Sequence, residues 1–433
     1  MTVGNNGNGR HSANIAVDQE SRSRETARNV ILLIGDGMGQ AHRLAGQLLL
    51  RGRTGRLAMD QLPAAGLMST ISADYLHFVT DSAAAATALA TGMKTQNGAV
   101  AVDVSGRPLP TILELAKRAG KSVGLVTTCQ LTDATPAAFG AHVPMRSDQS
   151  EVARQYLEET GVDVLLGGGA AYWQPAGAPP LFPPDPTEPR ELSQGTAGDL
   201  IALARHRGYR FATSASDIAA TVNRRARIGE RVLGLFANQE LFQQHTNGEP
   251  DSYLPPVSLA DLTDAAIQLL SPNPNGFFLM VEESAVDRMA HRNNASLTLK
   301  GVLELDRAVQ VALARAASDP ETLVIVTADH ECGGLAIAGS DDPPYPYEPG
   351  GGLFETVMAG EDGPFPVVGE DQGFVMGWAT TGHTAAAVPV TATGPGAEQL
   401  AGAYENTHPY TVMAEALGLV SQRRPATNGR VRR

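Results

Sequence analysis

Five short apolar runs set the rhythm of this chain: residues 30–34, 122–127, 162–166, 276–281 and 323–327. Each is nearly continuous rather than alternating, so each predicts a strand buried on both faces, as in a parallel sheet. Helical patterns lie between them. Residues 111–119 end with Lys117 and Arg118 followed by Gly120, a cationic last turn and a glycine stop. In 295–317, Val302, Leu305, Val309 and Ala312 recur at helical spacing. The alternation predicts an α/β fold, a large, mostly parallel central sheet with helices on both faces. Ligands of such sheets gather beyond the carboxyl ends of the strands.

Two segments interrupt the pattern. Residues 171–198 carry Pro179-Pro180 and Pro183-Pro184, and 339–373 carry Pro343-Pro344 and Gly350-Gly351-Gly352. Both are read as surface insertions able to rim a site, or as plain solvated loops. Residues 1–27, rich in Gly, Asn, Ser and Arg, predict a disordered N-terminal segment. Residues 421–433 predict a flexible basic tail, leaving one catalytic domain over 28–420. No apolar run reaches the roughly 18 residues of a membrane span, and the first 27 residues hold no apolar signal core.

Composition narrows the partners. Asp and Glu total 46 against 33 Lys and Arg, a net charge of −13. That argues against a nucleic-acid partner. It also steers anionic substrates poorly, so an anion must be held by local cations or a placed arginine. Cys129 and Cys332 cannot form a disulfide framework; near strand ends, packing is their expected role, with a metal ligand or redox switch as the lesser alternative.

The polar residues gather where strands end. Asp36 sits between Gly35 and Gly37 just past residues 30–34, and Asp329-His330 follows 323–327. Glu282 follows 276–281, and Asp287 and His291 are spaced to share a helix face, either as metal chelators or as an ordinary exposed pair. Thr132-Asp133-Ala134-Thr135-Pro136 offers a carboxylate and a hydroxyl, or a helix N-cap with Pro136 at the first helical position. Thr381-Gly382-His383-Thr384 adds a late histidine. Asp81-Ser82 opens a run of small helix formers, so Ser82 stands where unpaired backbone N–H groups attract negative charge.

Taken together and in this order, the motifs resemble the alkaline phosphatase family over residues 29 to 419. The matching stretches are Gly35-Asp36-Gly37-Met38-Gly39, Asp81-Ser82-Ala83-Ala84, Asp133-Ala134-Thr135-Pro136, Val281-Glu282 with Asp287 and His291, Ala328-Asp329-His330, and Gly382-His383-Thr384. The resemblance implies that Ser82 is the nucleophile, becoming a phosphoserine. It implies a first zinc site of Asp287, His291 and His383, and a second of Asp36, Asp329 and His330 with Ser82. A magnesium site of Asp36, Asp133, Thr135 and Glu282 follows from the same likeness. Mixed imidazole and carboxylate suits zinc, and an all-oxygen set suits magnesium. Arg146 stands where the family has its phosphate clamp. Arg288 occupies a position where some members carry lysine, which implies a second substrate contact. The implied activity is hydrolysis of small-molecule phosphate monoesters, with two zinc ions and one magnesium as cofactors. A phosphodiesterase or sulfatase on the same scaffold, or an inactive metal- or phosphate-binding protein, are the alternatives. The family also implies a homodimer and a periplasmic or secreted location, although the chain shows no signal peptide and a cytoplasmic one stays open.

Overall fold

A computed structural model describes residues 26–224, 227–243, 252–340 and 361–419. The N-terminal segment before residue 26, most of the 341–373 stretch and the 421–433 tail lie outside the described residues.

In chain order the strands are β1 (Asn29–Gly35), β2 (Ala64–Ser69), β3 (Ser122–Gln130), β4 (Val164–Gly168), β5 (Tyr209–Ala212), β6 (Arg231–Leu235), β7 (Phe277–Glu283) and β8 (Thr322–Thr327). They continue with β9 (Glu331–Cys332), β10 (Leu335–Gly339), β11 (Glu361–Pro366), β12 (Gly373–Trp378), β13 (His383–Thr384), β14 (Val388–Thr393) and β15 (Gly402–Glu405). Ten form one sheet in the order β15-β2-β14-β8-β1-β7-β3-β4-β6-β5. Only β14 runs against its neighbours. The sheet is mostly parallel, as the apolar runs predict.

The reason is visible in burial. Every residue of β1, β3, β7 and β8 is buried. The Leu259–Leu270 and Ala295–Ser318 helices pack together and on these strands. The Ser82–Thr91, Ile112–Arg118, Ala134–Gly140 and His408–Ala416 helices form a second packed group, and β3 touches both. With both faces covered, a strand has no polar side, so the runs read as continuous rather than alternating. The helix expected at 111–119 spans Ile112–Arg118, its start fixed by a reciprocal cap: Glu114 N–H donates to Thr111 Oγ1 (3.1 Å) and Thr111 N–H to Glu114 Oε2 (3.0 Å). The one expected at 295–317 spans Ala295–Ser318 and buries Val302, Leu305, Val309 and Ala312.

Strand ends differ from expectation in a way that matters. β7 continues two residues beyond Val281, so Glu282 and Glu283 are its last rungs rather than loop residues. Register sets Glu282 opposite both Ile34 of β1 and Thr127 of β3. The adjacent strands β8, β1, β7 and β3 therefore deliver Asp329-His330, Asp36, Glu282 and, after a short turn, Asp133 to one rim. The described part of the second insertion is not a plain loop: β10, β12 and β11 form a small antiparallel sheet.

Candidate active site

The Ser82–Thr91 helix starts because Asp81 is extended (φ −95°, ψ 171°) and its Oδ1 accepts from Ala84 N–H at 3.0 Å. Asp81 is thus the cap, and Ser82 is the first helical residue, its Oγ 3.1 Å from His330 Nε2. His330 Nε2 also lies 3.2 Å from Asp329 Oδ2 and 3.4 Å from Asp36 Oδ1. Three oxygens and one imidazole nitrogen converge on one buried point. Asp36 Oδ1 and Asp329 Oδ2 accept no hydrogen bond.

Next to it lies a second convergence. The Ala285–Ala290 helix carries Asp287, and His291 follows its last residue. His383 reaches in from β13. The His291 and His383 Nε2 atoms are 3.0 Å apart, and each is 3.4 Å from an Asp287 oxygen. Both Nδ1 atoms face backbone carbonyls, His291 toward Thr381 (2.6 Å) and His383 toward Thr80 (2.9 Å). An imidazole that donates from Nδ1 turns the lone pair of Nε2 inward, the usual orientation of a metal-bound histidine. Two such lone pairs facing each other repel unless a cation sits between them. Gly37 makes room here: its φ is +71°, and a Cβ on it would lie 2.9 Å from Asp287. Its N–H donates to Asp329 Oδ1 at 3.1 Å, joining the two clusters.

The third set is arranged differently. The Ala134–Gly140 helix begins after Asp133, with Pro136 at its third position, still within the turn where a missing N–H costs nothing. Glu282 Oε2 accepts from Thr127 Oγ1 at 2.5 Å. Glu282 Oε1 and Thr135 Oγ1 are buried with neither in hydrogen-bond geometry. Both oxygens of Asp133, however, are held by arginines: Arg146 donates to Oδ1 at 3.0 Å and Arg288 to Oδ2 at 2.7 Å. Arg146 also donates to Asp81 Oδ2 at 3.2 Å, which ties the phosphate-clamp candidate to the cap of the serine helix.

The electrostatics of the side chains alone indicate what the cluster can hold. Burial raises the pKa of Asp36 well above the carboxylate range, with Asp329 adding to it. Burial lifts Glu282 to about 8 and, helped by Asp287, Asp329 to about 6. Burial opposes ionisation of Asp287 too, but the neighbouring His291 and His383 rings win and hold it well below its usual value. His383 is correspondingly lifted to about 9 against its own burial. Burial drives His330 well below its usual value. Asp133 stays ionised because Arg146 and Arg288 outweigh its burial. A buried cluster whose carboxylates would hold protons for want of countercharge fits divalent cations.

These residues floor a cleft of about 540 Å³ lined by Ser82, Asp36, Asp287, His291, His383, Arg146 and Arg288. Sequence reasoning missed Gln130, Ser147, Gln149, Tyr172, Arg190, Gln239 and Glu240, which complete its wall with Asp133. Tyr172 and Arg190 belong to the insertion at 171–198, so that segment does rim the site. The rest carry no motif.

The family model described as alkaline phosphatase matches residues 27–345. The chain belongs to the alkaline phosphatase family. The phosphatase is 34% identical to alkaline phosphatase H of Pseudomonas aeruginosa, over 93% of this chain and 87% of that one. It is 36% identical to the streptomycin-6-phosphate phosphatase of Streptomyces griseus, over 91% of each. Among solved structures, the alkaline phosphatase of the Antarctic bacterium TAB5 superposes with a TM-score of 0.70 at 29% identity, covering 92% of this phosphatase and all of the other. That of Thermus thermophilus superposes with 0.72 at 27%, covering 92% and 93%. A variant of the TAB5 enzyme with aspartate in place of a histidine carries Mg in its M3 site, at a TM-score of 0.70 and 30% identity, covering 91% and 99%.

Proposed function

We propose that this phosphatase hydrolyses small-molecule phosphate monoesters to alcohol and inorganic phosphate through a phosphoserine on Ser82, at a centre of two zinc ions and one magnesium. The observation that carries the reading is the paired convergence: Ser82 Oγ with Asp36, Asp329 and His330, beside Asp287, His291 and His383. Those two sets would hold zinc, and Asp36, Thr135, Glu282 and Asp133 would hold magnesium. The TAB5 variant supports an aspartate-bearing magnesium site in this family. Bound zinc supplies Lewis acidity, which makes an alkoxide accessible at neutral pH and stabilises a departing oxygen.

The chain does the rest. The helix start at Ser82 presents one small nucleophile to the cleft and adds about 0.3–1 kcal/mol of favourable field for the anion. Arg146 and Arg288 flank it, each held by Asp133, which fixes both guanidiniums at the cleft and spares a rotamer search when phosphate binds. Thr80 and Thr381 carbonyls fix both histidine rings. Ser82 attacks phosphorus in line, the alcohol leaves, and water then cleaves the phosphoserine. The reading extends to a homodimer exported from the cytoplasm, which family membership supports.

The test is turnover of p-nitrophenyl phosphate by the zinc- and magnesium-loaded protein, beside Ser82→Ala and beside a diester substrate. Metal-dependent monoester turnover is expected, lost in the variant, with acid-quenched label recovered on Ser82. Full activity in Ser82→Ala refutes the nucleophile; faster diester cleavage gives the diesterase alternative; no turnover at all leaves a binding protein.

A further inference from the structure

Cys332 carries a consequence that packing alone does not explain. Strands β9 and β13 pair antiparallel, with Cys332 directly opposite His383. Side chains directly opposite in such a ladder project from the same face. Cys332 N–H donates to the Gly37 carbonyl at 3.0 Å, which pins it to the loop between Asp36 and the Asp287 contact. The result is a tetrad: the Cys332 Sγ, an Asp287 oxygen and one ring nitrogen each of His291 and His383 all lie within 4.8 Å of one another. Among the described residues the thiol has a single long contact, 3.8 Å to the Asp287 carbonyl. Asp287 Oδ1 in the same cluster is buried and accepts no hydrogen bond.

We infer that Cys332 supplies a sulfur donor to the first metal centre, making it a two-imidazole, one-carboxylate, one-thiolate site. This rests on the proposed function only in that a metal occupies Asp287, His291 and His383. Sulfur bonds to zinc near 2.3 Å and imidazole nitrogen near 2.0–2.1 Å, so a modest contraction of the tetrad around the ion closes the set. As the metal–sulfur bond forms, the S–H bond breaks heterolytically and the proton leaves to solvent. The geometry keeps the site usable. Cys332 is fully buried and is not part of the cleft wall, whereas Asp287, His291 and His383 are. Sulfur therefore approaches from the interior side, leaving the cleft side to substrate through an added coordination position. A soft donor biases this centre toward zinc, cobalt and cadmium and away from magnesium, which keeps the two metal types apart in one cluster.

Cobalt(II) tests this without reference to turnover, because a thiolate bound to cobalt gives a strong near-ultraviolet charge-transfer band that nitrogen and oxygen donors do not. Stripped protein reconstituted with cobalt is expected to show the band, to keep it in Cys129→Ser and to lose it in Cys332→Ser. Cobalt uptake without the band in the wild type overturns the inference, and so does no cobalt uptake. A band that survives Cys332→Ser, or that vanishes in Cys129→Ser, also overturns it. Should Cys332→Ser not fold, the wild type and Cys129→Ser alone decide. Turnover of p-nitrophenyl phosphate by the zinc-loaded wild type is measured separately. A band without turnover refutes the proposed function and keeps the sulfur; turnover without a band does the reverse.

Discussion

Stripping the metals should make stability fall as pH rises from about 7 to about 9, by an amount the loaded protein does not show. In the bare cluster Glu282 is lifted from 4.5 to about 8 and His383 from 6.5 to about 9. Both hold a proton in the folded state that the unfolded chain has lost. Their stabilisation is therefore complete below the unfolded pKa and drains as pH rises through the folded one. Over that interval Glu282 gives up about 1 kcal/mol and His383 about 2 kcal/mol, together roughly 3–4 kcal/mol. A chain this long has an unfolding entropy near 0.9 kcal/mol per kelvin, so the midpoint should drop by about 4 °C. Glu283, also lifted to about 8 by burial, contributes equally with and without metal and cancels in the difference. Bound cations keep Glu282 ionised and His383 neutral at both pH values, so their contribution vanishes. The assay is thermal unfolding at about pH 7 and pH 9, with chelator and after reloading. A gap between the two forms that stays constant or narrows with rising pH would refute the view that these groups are buried for a missing cation.

Three substitutions probe the support around the centre. Asp81→Ala removes the acceptor of Ala84 N–H, Gly98 N–H and Arg146 together; it should cost about 1 kcal/mol of stability and weaken inhibition by inorganic phosphate, and unchanged phosphate inhibition would show that Arg146 needs no tether. Gly37→Ala puts a Cβ 2.9 Å from Asp287 at a φ of +71°; zinc retained after dialysis should fall, and full retention would mean that the loop yields freely. Arg43→Met empties the centre of a buried polar knot, since Arg43 donates to Asp60, Thr391 Oγ1 and the Val326 and Pro389 carbonyls. Breaking a buried pair costs about 3–5 kcal/mol, and the partly exposed Asp60 places this one at the low end, about 3 kcal/mol by urea unfolding; a loss under about 1 kcal/mol would contradict the assigned role.

The middle of the sheet was legible because burial on both faces writes itself as an unbroken apolar run. Its flanks were not. β2 reads Ala-Ala-Gly-Leu-Met-Ser with exposed positions, and β5 is four residues long, so neither rises above background. β14 contains Pro389, which argues against an internal strand, yet its pairing with β8 begins only at Thr391, past the missing N–H. Glu282 looked like a loop residue because an ionisable side chain ends an apolar run by inspection, while the backbone ladder continues underneath it. Within the site, residues announced by glycine or by strand-end position were found. Glu240, Gln239 and Tyr172 were not, because no local pattern distinguishes a cleft wall from any other buried polar contact. Packing outranked metal ligation for Cys332, since cross-strand pairing with His383 is invisible until the two-residue strands β9 and β13 are seen together.

The donors of this centre come from nearly the whole chain: His383 closes on the Thr80 carbonyl across 303 residues, and Gly37 on Asp329 across 292. No fragment shorter than residues 36–383 contains both sets of donors, because Asp36 follows the first strand and β8 and β13 come late in the chain. A metal held by both sets would therefore bind only after β13 has emerged. An ion retained at the proposed centre would then report that β13 has docked, and a chain truncated before it would be recognisable by its failure to keep the ion.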